Sequence, residues 1–236
     1  MRRSLPALSR ERYRVILLTR NGSYCWDEEI CLANEDKPPA PPELLKKMRA
    51  LQGRLEQALE PLPPTVEELR NELRRILQKA IRDEVLQTPP YSATQLLKLE
   101  SAEQSRKVKE RGGTHAIVGG YKDIPRLSGD IDPRKKFIRD DGAVIHFSIT
   151  VRESPGQLEL IAYDFELYHP SRVPIWFVRF DLNQPGHHND RELGLRSHVH
   201  PAHDDLQIPG AMLSPAEALS FLLYGFRIRR EAARTK

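Results

Sequence analysis

Residues 143–152 read Ala143-Val144-Ile145-His146-Phe147-Ser148-Ile149-Thr150-Val151-Arg152. Ile145, Phe147, Ile149 and Val151 alternate with His146, Ser148, Thr150 and Arg152, and a period of two sends successive side chains to opposite faces of a strand. One apolar and one polar face predict a half-buried strand of an antiparallel sheet. Downstream, Ser154-Pro155-Gly156-Gln157 has turn chemistry and leads into a second β-prone run over 158–167. His169-Pro170-Ser171-Arg172 turns the chain into a third run over 173–182. The expectation is an antiparallel β-meander, with Leu195-Arg196-Ser197-His198-Val199-His200 as an extended segment or fourth strand.

Further on, Ser214-Pro215-Ala216-Glu217 has the form of a helix start: Ser as cap, Pro at the first helical position, Glu closing the box. Leu219, Leu222, Leu223 and Phe226 would pack that C-terminal helix on the sheet, and the basic tail over 227–236 would fray. Upstream the period changes. Leu44, Met48, Leu51, Leu55, Ala58 and Leu62 repeat at helical spacing, Pro61-Leu62-Pro63-Pro64 stops that helix, and Thr65-Val66-Glu67-Glu68 caps another. Val66, Leu69, Leu73, Ile76 and Ala80 form the second stripe. A helical hairpin over 42–86 follows, its stripes facing each other or a shared partner. Its Arg and Glu residues read as solvated helix faces or as a nucleic-acid groove. A shorter helix is expected over 93–109, followed by flexible Gly112-Gly113 and Gly119-Gly120 pairs. At the start, Asn21-Gly22 between β-prone runs predicts a β-hairpin over 12–32. Pro38-Pro39-Ala40-Pro41-Pro42 marks a boundary. The fold class is α+β, divided into a hairpin segment over 1–37, a helical region over 42–111 and an antiparallel α+β domain over 134–236.

A chain of 236 residues with 39% hydrophobic and 30% charged side chains has enough apolar sequence for a real core, which excludes wholesale disorder. Lys and Arg outnumber Asp and Glu by 37 to 33, so a polyanionic partner is permitted without being required. Cys25 and Cys31 alone cannot build a disulfide scaffold or a four-thiolate zinc site, which suits a reducing cytoplasm. Met1-Arg2-Arg3-Ser4 resembles the start of a signal peptide, but no apolar core follows, and no run approaches the ~20 apolar residues of a membrane span. The expected setting is cytoplasmic, without a membrane partner.

The chemistry concentrates in a histidine-rich stretch. His198 and His200, one residue apart, project from one face if the segment is extended. Two imidazoles side by side can share acid and base roles, hold a metal ion, or only stabilise a loop. His203, Asp204 and Asp205 follow directly, so the candidate metal ligands are His198, His200, His203, Asp204 and Asp205. Arg179 and Asp181 share a strand face, where Arg could neutralise a phosphate and Asp could orient a histidine, or the two could form a plain salt bridge. HExxH, paired CxxC, GxGxxG and P-loop patterns are absent from the sequence, so standard zincin and nucleotide-loop chemistry is excluded.

The order Asp140-Asp141-Gly142, β-meander, Arg179-Phe180-Asp181-Leu182-Asn183, His198-Val199-His200 and terminal helix, over residues 137–226, resembles the TumE-like toxin family of prokaryotic toxin–antitoxin modules. That resemblance implies a small α+β fold and RNA-directed toxicity, with the Asp181/Asn183 region and His198/His200 at matching motif positions. The chain before residue 137 and the longer connection over 184–197 are additions to that pattern, and Val199 stands where the family pattern has a basic residue. The leading expectation is a nuclease-like protein acting on RNA without a cofactor. His198 and His200 would supply acid/base catalysis, Arg179 phosphate binding and Asp181 histidine orientation. The alternatives are a non-enzymatic interaction or accessory component of a defence or toxin–antitoxin system, docking through the helical hairpin, and a divalent-metal-dependent hydrolase.

Overall fold

The computed structural model describes residues 42–57, 59, 61–120, 134–170, 176–202, 204 and 206–226. The β-hairpin expected over 12–32 and the basic tail over 227–236 lie outside the described residues. In chain order the elements are α1 (Pro42–Gln57), α2 (Val66–Arg82), α3 (Pro90–Leu96), β1 (Leu97–Ser101), α4 (Arg106–Glu110), β2 (His115–Gly119), β3 (Phe137–Ile138), β4 (Val144–Ser154), β5 (Gln157–His169), β6 (Trp176–Leu182), β7 (Ser197–Pro201), β8 (Ile208–Pro209) and α5 (Pro215–Ser220). Wide π-helical turns occupy Asn189–Leu193 and Phe221–Gly225.

The strands form one antiparallel sheet in the order β1-β2-β4-β5-β6-β7-β8, with β3 also pairing β4. Thus the α+β class and the meander of β4, β5 and β6 are as expected, and His198-Val199-His200 is a strand. Alternation in β4 is reproduced: Ile145, Phe147, Ile149 and Val151 are buried in the main core. The other face of β4 is not open as a half-buried strand would be. His146, Ser148 and Thr150 are buried too, and the turn after α4 runs over Thr150, where Arg111 donates to its hydroxyl at 3.4 Å. A Cβ at Gly113 would lie 2.4 Å from the Thr150 methyl carbon, which shows how near that backbone runs.

In β5 the alternation changes phase. Thr150 pairs with Ala162 but Val151 pairs with Leu160, leaving Ile161 as an extra residue in a bulge. Leu158 and Leu160 therefore share a face with Tyr163, Phe165 and Leu167, and Asp164 and Glu166 go to the other.

The expected helix over 93–109 is instead α3, β1 and α4. Leu97 to Ser101 pair in register with Gly119 to His115 of β2, so sheet hydrogen bonds override a modest local helical tendency. Gly119, expected to be flexible, lies in that strand beneath the Phe147 ring.

α2 begins as read from the sequence, with the Glu68 N–H donating to the Thr65 hydroxyl at 3.2 Å. Its buried stripe is Val66, Leu69, Leu73, Leu77 and Ala80, which joins the core with α5 and the apolar face of the sheet. The two stripes of the expected helical hairpin do not simply close on one another. α2 is spent inside the core, whereas α1 lies near the 189–194 turn, where Arg49 donates to the Arg191 carbonyl at 3.0 Å. α5 carries the full capping box: Ser214 N–H to Glu217 at 2.7 Å and Glu217 N–H to the Ser214 hydroxyl at 3.3 Å. Leu219, Leu222 and Leu223 are fully buried, as expected. Among the described residues no helix is long and apolar enough to cross a membrane.

Candidate functional site

The sheet face opposite the core carries the polar chemistry. β6 and β7 pair so that Asp181 lies opposite His198 and Arg179 opposite His200. Directly opposed residues have Cβ atoms about 4.5–5.5 Å apart, so four functional groups converge without help from a loop. Phe180, Leu182 and Val199, in the intervening positions, pack against the core and fix which face each strand presents.

Within this group the Nε2 atoms of His198 and His200 are 3.0 Å apart. Asp181 Oδ2 lies 3.2 Å from Nε2 of His200 and 3.6 Å from Nε2 of His198. Arg179 Nε donates to both Asp181 oxygens, at 2.9 and 3.1 Å, and its Nη1 donates to Asp204 at 2.7 Å. Both histidines are 2% exposed, which makes them interior groups rather than surface ones. Their Nδ1 atoms are buried without a hydrogen bond of ordinary geometry among the described residues, although the Leu195 backbone lies close enough to favour the charged form of His198.

The electrostatics follow from that burial. Burial pushes the His198 imidazole down to about 4, helped by His200 and Arg179 and opposed by Asp181, so at neutral pH His198 is an uncharged acceptor or ligand. Burial alone would raise the Asp181 carboxyl, but the hydrogen bond from His200, the charge of Arg179 and, in acid, that of protonated His198 hold it below the usual carboxylate range. Arg179 is raised despite its burial, because Asp181 and Asp204 flank it. The group is therefore a carboxylate and a neutral imidazole packed against a second imidazole and a fixed guanidinium. Because the two Nε2 atoms touch, they do not flank a scissile bond as a separated acid and base. They form one proton-holding or cation-holding unit.

Next to it is a cleft of about 340 Å³ whose lining includes Arg111, Asp164, Arg179, Asp181, Asn183 and His187. Arg179 and Asp181 are thus the members of the group that face the cleft. Of the other residues singled out from sequence, Asp204 stands against Arg179 rather than among the imidazole nitrogens, and His203 and Asp205 lie outside the described residues. His146, placed by the alternation on the polar face of its strand, is buried with Nδ1 3.9 Å from Asp164.

Sequence reasoning missed Asp164 and Arg111. Asp164 is the β5 partner of Asp181, and Arg111 reaches it at 3.6 Å. The phase change in β5 hides the face of Asp164, and Arg111 stands at the end of the segment read as helical, just past the helix expected over 93–109. Comparison with family models, with curated proteins and with solved structures found no match for the chain.

Proposed function

We propose that this protein is a nuclease-like enzyme directed at RNA, with Asp181, His198, His200 and Arg179 as its reacting centre. The observation that carries this reading is one Asp181 oxygen within 3.2 and 3.6 Å of two imidazole nitrogens on the adjacent strand. Arg179 and Arg111 line the cleft beside it and suit a phosphodiester, and Asn183 adds an amide able to meet a base edge or a ribose hydroxyl. In the chemistry that needs only side chains, Asp181, which borders the cleft, takes the ribose 2′-hydroxyl proton and passes it to the paired imidazoles beside it. The oxygen then bonds to phosphorus, the bond to the 5′ oxygen breaks, and that oxygen leaves with the stored proton. Arg179 balances the charge that builds on the phosphate, and Asp181 stabilises the transient imidazolium. The rival reading as a protein that docks through the helical hairpin loses one of its two stripes, since that of α2 lies in the core.

The test is cleavage of labelled single-stranded RNA and DNA by the full chain beside Asp181→Asn, His198→Gln and His200→Gln. Loss of RNA cleavage in folded variants is the expected result. Undiminished cleavage in all three removes these residues from the reaction, and an inert wild-type chain counts against the nuclease reading itself.

A further inference from the structure

We infer that Asp181, His198 and His200 bind one divalent first-row transition-metal ion, in a two-histidine, one-carboxylate site opening toward the cleft. The inference deepens the reading of the same site. Its catalytic consequence rests on the nuclease proposal, with the two imidazoles then serving as ligands in place of the proton store described above, while metal binding itself does not rest on it.

Geometry carries the argument. Ligand atoms held by one ion at ~2.0–2.2 Å lie about 2.9–3.6 Å apart, from octahedral to tetrahedral angles. The three atoms here are separated by 3.0, 3.2 and 3.6 Å. A triangle with those sides has a circumscribed radius of about 1.9 Å, so an ion at ordinary bond length sits slightly off its plane, touching all three and keeping positions free on one side.

Hydrogen-bond accounting points the same way. Three lone-pair-bearing atoms crowd one small volume, and a single N–H directed into it can be shared by at most the other two. A cation meets all three lone pairs at once and releases that proton, the usual exchange when a metal enters a histidine site. The buried setting makes the unpaired alternative costly.

The carboxylate ligand is supported from outside, whereas the two imidazole Nδ1 atoms have no such hydrogen bond among the described residues. Arg179 orients the Asp181 carboxylate through two contacts and is itself held by Asp204, which is the kind of outer partner that fixes a ligand's direction. Asp181 borders the cleft, which supplies an entry path. Two imidazoles and one carboxylate suit zinc, manganese or ferrous iron, and are poorly matched to calcium or magnesium, which prefer oxygen donors.

The experiment uses the full chain, stripped with a chelator and dialysed. Zn²⁺ and Mn²⁺ binding is measured by competition with a chromogenic chelator and by metal analysis. Co²⁺ serves as a spectroscopic probe, with Mg²⁺ and Ca²⁺ as controls. The expected result is one saturable Zn²⁺ or Mn²⁺ per chain and a visible Co²⁺ spectrum. Affinity should fall at least ~100-fold in Asp181→Asn and His200→Gln, and about 10-fold in Arg179→Gln, which removes only the outer partner.

Two results overturn the inference: no stoichiometric binding by folded wild-type chain, or binding that stays within about threefold of wild type in folded Asp181→Asn, which would move the ion elsewhere. Because the histidines are buried and their variants can unfold, the wild-type titration and the near-isosteric Asp181→Asn variant decide the matter without them. Parallel RNA assays separate the two proposals. Cleavage in EDTA by a chain that binds no metal removes the metal and leaves the nuclease. Stoichiometric binding with no cleavage leaves the metal site and removes the nuclease.

Discussion

Gly119→Ala tests the packing that holds β2 to β4. The glycine pairs with Phe147 across the two strands, and a Cβ there would lie 2.1 Å from Phe147 Cζ and 2.3 Å from Cε1. Carbon atoms rest about 3.5 Å apart, so the ring must retreat by roughly 1.4 Å. It has little room to do so. Phe137 stacks at 6.0 Å and Phe165 at 5.1 Å between centroids, both nearly parallel to Phe147, and all three rings are fully buried.

Overpacking a dense core costs ~1–3 kcal/mol, and the absence of a free direction puts this case near about 3 kcal/mol. In a domain of this size that is a fall in Tm of roughly 6–12 °C. Urea unfolding followed by circular dichroism gives the free energy directly. The clash is specific to one ring, so in a Phe147→Leu background the added cost of Gly119→Ala should drop below about 1 kcal/mol, a coupling of ~2 kcal/mol. A cost under about 0.5 kcal/mol in the wild-type background, or the same cost in both backgrounds, refutes the reasoning.

Other outcomes follow from single contacts. α2 ends with Glu84 at φ 58, where the Val85 N–H donates to the Ala80 carbonyl and the Glu84 N–H to Ile81, a C-terminal cap that favours glycine. Glu84→Gly should therefore stabilise by about 0.5–1 kcal/mol in urea unfolding, and a loss of stability would contradict it. Ser214→Ala removes one half of the α5 capping box and should cost about 1 kcal/mol, read by the same titration.

Asp141 pairs with fully buried Arg139. Burial alone would raise the Asp141 carboxyl, but Arg139 and the Ala143 N–H hold it below its ordinary value. Its stabilising effect is thus full above about pH 4 and is lost as pH falls through the lowered folded value. Asp141→Asn should cost about 3 kcal/mol at pH 7 and flatten the acid limb of the stability profile, and an unchanged limb would contradict the pairing. Arg179→Lys keeps the charge but cannot hold Asp181 and Asp204 together, so RNA cleavage should fall about 10–100-fold with the fold intact, measured as initial rates.

The sheet was legible wherever local alternation and tertiary pairing agree. Ile145, Phe147, Ile149 and Val151 announce β4, and the same period placed His198 with His200 and Arg179 with Asp181 before any contact was known. The two pairs were expected to meet, with Asp181 orienting a histidine, but the β6–β7 register that puts Asp181 opposite His198 and Arg179 opposite His200 was not legible, because it depends on an irregular connection over 183–196. Nor did composition separate β1 from a helix: Leu97-Lys98-Leu99-Glu100 suits either until β2 offers hydrogen-bond partners. The Ile161 bulge is hidden inside the continuous apolar run Leu160-Ile161-Ala162-Tyr163. Asp181 was read as a residue that orients a histidine, and its approach to both imidazoles, at 3.2 and 3.6 Å, comes only from the packed geometry.

The division of β6 and β7 between a core face and a polar face separates two kinds of heritable change. Replacing residue 179, 181, 198 or 200 changes the polar cluster while leaving the apolar positions between them, and so the assignment of each face, as they are. Deleting or inserting one residue in either strand does the reverse: it exchanges the faces beyond that point, driving charges into the core and apolar side chains into the site. Length changes in these two strands are therefore tolerable only in the turns at their ends, whereas substitution at 179 or 181, which border the cleft, leaves both strand faces in place.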